Sequence, residues 1–255
     1  MYLGRVMTVP IVLFGGFMSF EMVYWGMEHA LEIVTGRPVF VVPSGPRDWM
    51  RVGLTWRWGH LLRKLDETVK EAVAVSATGK VTLVGHSAGG VLGRIYLGSA
   101  GFRGRTCAGV EYVDRLITLG SPHRSRSIFV GGGRVAQWVN KRYPGAYFAP
   151  DVEYIAVGGR SIFGDAHGDL RERHAYRIYH SMVGRGDVWG DGLVPLECAL
   201  LPGARHLVLD GVTHYKICGS PWYGESEEVI ARWWPDFETA THSDGSSPAS
   251  KNSRT

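Results

Sequence analysis

The chain is poor in cysteine, in charge of one sign and in long apolar runs. Only Cys107, Cys198 and Cys218 occur among 255 residues. An odd count with no metal-like or redox-like spacing excludes a disulfide framework and a thiolate metal centre, so the three read as free thiols of a reducing compartment. Twenty-eight Lys and Arg stand against 24 Asp and Glu, a net charge of +4 spread along the chain. Without a clustered basic face, nucleic acid is excluded as a partner. The longest apolar stretch is broken by Gly15 and Gly16, and no segment is long enough to span a bilayer. The first ten residues carry one arginine and no adequate apolar run before a cleavage site. No signal peptide is read there, and the expected address is cytoplasmic. Residues 239–255 hold almost nothing apolar and are expected to form a disordered tail.

What the chain does have is a rhythm of buried strands and amphipathic helices. "VPIVLFGG" (Val9 to Gly16) is a continuous apolar run ending in glycine, as in a parallel strand covered on both faces. "PVFVV" (Pro38 to Val42) is a second buried strand, and "KVTLVG", "RLITLGSP", "VEYIAVGG" and "HLVLDG" read as four more. Helical spacing lies between them over Phe20 to Val34, His60 to Ala77 and Gly89 to Leu97, and again over Ser226 to Trp234. Residues 43–59, rich in proline, glycine and tryptophan, read as a long loop. The alternation predicts an α/β chain with a doubly wound, mostly parallel sheet, forming a single domain over 1–238. In such sheets ligands bind beyond the carboxyl ends of the strands, so the loops there carry the chemistry.

One of those loops is a sharp corner. Gly85-His86-Ser87-Ala88-Gly89 fits G-x-S-x-G, and its setting gives the match its weight: a buried strand ends at Val84 and a helix begins near Gly89. A serine on such a turn is forced into a strained backbone that lifts its hydroxyl out of the sheet, above a helix N-terminus that favours negative charge. Ser87 is the candidate nucleophile, and it needs a base. His214, just after the last strand in "LVLDGVTHY", is the best placed of ten histidines; His123 in "GSPHRS" is its rival, and His86 reads as structural. "GDVWGDGLVP" offers Asp187 and Asp191 as the acid that orients the base, and Asp191, between two glycines, is preferred. Backbone amides of Phe17, in the turn after the first strand, and of Ala88, after the nucleophile, are the candidate oxyanion donors. None of these motifs calls for a metal or another cofactor.

These residues resemble the α/β-hydrolase superfamily, and within it the lipases and esterases. "VLFGGF" is similar to their first strand and oxyanion turn, with Gly15 where they carry histidine; "VTLVGHSAGGVLGRIYL", including Arg94, resembles their elbow and helix; "LITLGSPHRS", "GDGLVP" and "GVTHY" resemble later segments. The resemblance implies an eight-stranded, mostly parallel core and a serine hydrolase that cleaves carboxylic esters through an acyl-enzyme on Ser87. Two regions are then expected to shape an apolar acyl pocket: the loop over 43–59, with Trp49 and Trp56, and a small cap- or lid-like insertion over about 124–150, with Phe129 and Tyr147. The implied partner is a small-molecule ester or lipid, with transient contact to a membrane surface and no obligate protein partner. A thioesterase, an acyltransferase or a catalytically silent binding protein of the same fold are the alternatives left open.

Overall fold

A computed structural model of the chain describes residues 8–55, 58–126 and 133–235. Its strands are β1 (Ile11–Phe14), β2 (Val39–Val41), β3 (Val81–His86), β4 (Val113–Leu119), β5 (Glu153–Arg160), β6 (Ile162–Phe163), β7 (Trp189–Gly190) and β8 (Arg205–Asp210). Its α-helices are α1 (Trp25–Thr35), α2 (Pro46–Thr55), α3 (Gly59–Val73), α4 (Ala88–Leu97), α5 (Gly133–Arg142), α6 (Leu170–Val183), α7 (Leu196–Ala199) and α8 (Glu227–Ala231). Six strands form one sheet in the order β2-β1-β3-β4-β5-β8, every neighbour parallel. The antiparallel pair β6-β7 stands apart. The expected parallel sheet is present, but among the described residues it has six strands rather than the eight the resemblance implies.

The continuous apolar runs are explained by a two-sided sheet. Successive strand residues point to opposite faces, so both faces of each strand must be apolar. Val12 and Phe14, Val81 and Leu83, and Tyr154 and Ala156 join α3, α4 and α5 in one cluster. Ile11 and Leu13, Val84, and Ile155 and Val157 join α1 and α8 in the other. Each face thus has its own helical layer, and each crossover returns the chain to the same end of the sheet.

Three elements differ from the sequence reading. Residues 46–55 are helical, where a loop was expected: Pro46 sits at the first helical position, where its missing N–H costs nothing, and the Asp48 carboxylate accepts the Gly45 N–H at 2.9 Å. α5 was not foreseen inside the 124–150 segment. Val135, Ala136 and Val139 bury it in the same layer as α3 and α4, as the ordinary crossover between β4 and β5. α6 was also missed, because its buried side is thin (Ala175, Tyr179, Met182) amid charged residues; an Asp169–Glu172 capping box starts it. Residues 127–132, with Phe129, and Trp56 lie outside the described residues, as does the tail expected over 239–255.

All three cysteines are free, Cys198 buried and the other two half-buried. Burial raises each thiol, that of Cys198 to about 12. No helix among the described residues is long and apolar enough to cross a membrane. Leu83, fully buried in the central strand, reports on this core: Leu83→Ala is expected to cost roughly 3 kcal/mol, read as a lowered midpoint in thermal or urea unfolding.

Candidate active site

Backbones cross so closely at the end of β3 that two positions admit no side chain. A Cβ on Gly89 would lie 2.2 Å from the Phe14 carbonyl oxygen, and one on Gly85 would lie 2.4 Å from the Gly90 Cα. Ser87 sits between them with φ 54° and ψ −123°, a conformation L-residues rarely adopt. Its N–H is tied to the Leu119 carbonyl at 2.8 Å. The strain presents the hydroxyl at the carboxyl edge of the sheet, directly ahead of the first turn of α4.

Two further residues meet at that edge. Asp191 follows β7 and packs beneath the end of β5, where a Cβ on Gly159 would come 2.9 Å from its own Cβ. His214 follows β8. The imidazole Nδ1 is 2.8 Å from Asp191 Oδ2, and the His214 N–H donates to the Asp191 carbonyl at 2.8 Å, so side chain and backbone register the pair together. The carboxylate is fully occupied: Tyr223 donates to Oδ2 at 3.0 Å, and the Leu193 and Val194 N–H groups donate to Oδ1 at 3.0 and 2.7 Å. A carboxylate oxygen accepts in such a bond, so the hydrogen sits on Nδ1 of His214 and Nε2 is the ring nitrogen not engaged with Asp191. Both residues are about 1% exposed. Asp187, by contrast, is exposed, and Asp191 is the carboxylate that holds His214.

Ser87 and His214 are neighbours through His86, whose ring centroid is 4.8 Å from that of His214. Among the described residues no hydrogen bond joins the serine hydroxyl directly to the imidazole. His123 is not part of this group. It is buried against Thr118, its Nε2 3.0 Å from the hydroxyl, and burial first and the Arg94 charge second push its pKa well below the usual imidazole range.

The turn after β1 closes the third side. The Gly16 N–H donates to the Tyr24 hydroxyl at 2.8 Å, and the Gly16 carbonyl accepts from Ser19 Oγ at 2.6 Å. A Cβ on Gly16 would fall 2.7 Å from that of Ser87, so this turn abuts the serine. The amides of Phe17 and Ala88 have no hydrogen-bond partner among the described residues. Of the expected pocket residues, Trp49 is brought here: it is buried, and its ring meets Phe17 edge-on at 5.5 Å. Tyr147 is not. It packs on Tyr143 and Phe148, and Tyr143 bonds Ala100, just beyond the C-terminus of α4. Ser87 precedes the other end of that ten-residue helix, about 15 Å away along its axis. Tyr147 therefore belongs to the packing of α5, not to a pocket at the serine. Tyr24, Tyr215 and Tyr223 were not foreseen; Tyr215 adjoins His214 in "THY", but nothing in the sequence brings Tyr24 or Tyr223 to this edge.

No family model matches the chain, and no curated protein matches its sequence. Solved structures do. The Bacillus licheniformis lipase BlEst2 in mature form superposes with a TM-score of 0.55 at 19% identity, over 83% of this chain and 86% of that one. The Staphylococcus hyicus lipase does so at 0.53 and 13% identity, over 91% and 96%. The chain has the α/β-hydrolase fold. The corner at Ser87, the Asp191–His214 pair and the turn after β1 all lie at the carboxyl edge of the sheet.

Gly120, with φ 52°, tests how tightly the pair is built. A Cβ there would come 2.6 Å from Asp191 Oδ2 and 3.0 Å from His214 Nδ1. Gly120→Ala is expected to push the two apart and to remove the strongly deshielded His214 Nδ1 proton from the NMR spectrum; its retention would show a looser site.

Proposed function

We propose that the chain is a serine hydrolase of carboxylic esters with apolar acyl groups, an esterase or lipase working through an acyl-enzyme on Ser87. The observation that carries this is the Asp191–His214 pair, buried at the same sheet edge as a serine held in a strained turn. Ser87 Oγ attacks the ester carbonyl carbon while its proton passes to His214 Nε2. Asp191 stabilises the imidazolium that results, from a carboxylate already fixed by Tyr223 and two backbone amides. The carbonyl oxygen becomes an oxyanion and takes the N–H groups of Phe17 and Ala88, each donor contributing on the order of 3 kcal/mol to the transition state. Collapse breaks the C–O bond to the alcohol, which leaves with the proton from His214. Water then repeats the sequence on the acyl-serine, releasing the acid and restoring the hydroxyl. No step calls for a metal.

The apolar preference rests on the walls beside the serine. Phe17 is 42% exposed, backed by Trp49 and Trp58, and Met18 next to it is 64% exposed. Apolar surface of this kind suits an acyl chain, or passing contact with a lipid surface. Likeness to two lipases supports the same class at the level of fold.

Turnover of p-nitrophenyl esters of short and long acyl chains, beside matched acyl-thioesters, tests the reading. Ester hydrolysis is expected, with Ser87→Ala lowering kcat on the order of a million-fold while folding survives. Asp191→Asn is expected to cost less, about ten-thousand-fold, and Asp187→Asn to leave the rate near that of the parent. A Ser87→Ala variant that still turns over at the parent rate would end the proposal, and preferred cleavage of the thioesters would move it to a thioesterase.

A further inference from the structure

His86 fills the variable position ahead of the serine, is fully buried, and takes no part in the reaction just described. Its two ring nitrogens nevertheless join the two loops that flank Ser87. Nε2 lies 3.1 Å from the His214 carbonyl oxygen, and Nδ1 lies 2.9 Å from the Tyr24 hydroxyl. That hydroxyl in turn holds the Gly16 N–H at 2.8 Å and stands 3.3 Å from the Tyr215 hydroxyl.

The chemistry of these atoms fixes every proton. A carbonyl only accepts, so Nε2 of His86 carries the hydrogen. The ring is kept neutral by burial first and by neighbouring His214 second, so Nδ1 holds a lone pair. Tyr24 must then donate to Nδ1, and its oxygen accepts from the Gly16 N–H and from Tyr215. The opposite tautomer would set a nitrogen lone pair against a carbonyl oxygen. The titratable groups facing His86 are Tyr24, Tyr215, Tyr223 and His214, beside the Trp222 ring, and burial raises all three phenols, which therefore remain protonated donors.

We propose that Tyr24 and His86 are positioning residues: a proton-ordered chain of hydrogen bonds, Gly16 N–H to Tyr24, Tyr24 to His86, His86 to the His214 carbonyl, holds the oxyanion turn and the base loop at a fixed separation across Ser87. The inference rests on the reading of Ser87, His214 and Phe17 as the reaction centre. Gly15 is part of the same device. A Cβ there would lie 2.5 Å from the Tyr24 ring, so Tyr24 occupies, from another element, the room that a side chain at that position would take. Ser19 pins the other side of the turn through the Gly16 carbonyl. In a planar trans peptide the next N–H points opposite to that carbonyl, which aims the Phe17 amide away from Ser19 and leaves it free.

Two measurements test this. In 15N-labelled parent protein, the imidazole spectrum of His86 is expected to show protonated Nε2 and unprotonated Nδ1, unchanged between about pH 5.5 and 8.5. The Nδ1–H tautomer, or a titration in that range, would overturn the chain. In kinetics with p-nitrophenyl acetate, Tyr24→Phe and His86→Phe are each expected to lower kcat roughly 10- to 100-fold with KM within about twofold, the size of a small misplacement of reacting groups. Because both variants cut one chain, the double variant should lose little more than either alone. His86→Gln, whose amide has an NH2 donor for the His214 carbonyl and an oxygen acceptor for Tyr24, should recover part of the loss. Additive losses, or an unchanged kcat in folded Tyr24→Phe, would refute the positioning role. A parent protein that hydrolyses no ester would defeat the functional reading and this role with it, while the spectrum would still decide the hydrogen-bond chain.

Discussion

The close passage of three backbones at the end of β3 is the constraint on which the rest depends. The ends of β1 and β3 and the start of α4 approach until a single methylene on Gly89 would strike the Phe14 carbonyl. That approach forces Ser87 into its positive-φ conformation and brings the turn after β1 against the serine. A looser crossing would relax the serine toward an ordinary helix start, with its hydroxyl returned to the sheet. The two apolar layers supply the stability against which this local strain is held.

Around that corner the buried residues Asp191, His214, His86 and Tyr24 are joined by hydrogen bonds. The Asp191 carboxylate accepts four hydrogen bonds, His214 is held by side chain and backbone, and His86 is bonded at both nitrogens. Buried polar groups are costly when unpaired and rigid when fully paired. The arrangement therefore behaves as one block tying together the loops after β1, β3, β7 and β8. Rigidity of this kind suits chemistry in which donors must already point at a charge that appears only in the transition state.

The strands of the sheet were legible because a strand covered on both faces is apolar nearly throughout, and all the runs but PVFVV, which ends at Pro43, are closed by glycine. The corner was legible because its glycines and serine are contiguous. Less so was the acid: Asp187 and Asp191 share the same local motif, and only the fold shows that one is exposed while the other lies under the end of β5. Trp49 reached the site from a helix that read as a loop, since Pro46 marks a helix start as readily as a break. Tyr147 was misplaced because an aromatic cluster at the far end of α4 has the same composition as a pocket wall. Tyr24 and Tyr223 left no signal, for their roles come from tertiary contacts 62 and 32 residues away in sequence. Among the described residues the sheet has six strands where the resemblance implied eight.

The most direct measurement is a crystal structure of the chain after reaction with an alkyl fluorophosphonate, whose phosphorus mimics the tetrahedral centre. Continuous density from Ser87 Oγ to phosphorus is predicted, with the phosphoryl oxygen about 3 Å from the Phe17 and Ala88 nitrogens and His214 Nε2 facing the serine oxygen. An adduct on another residue, or a phosphoryl oxygen turned away from both amides, would contradict the account.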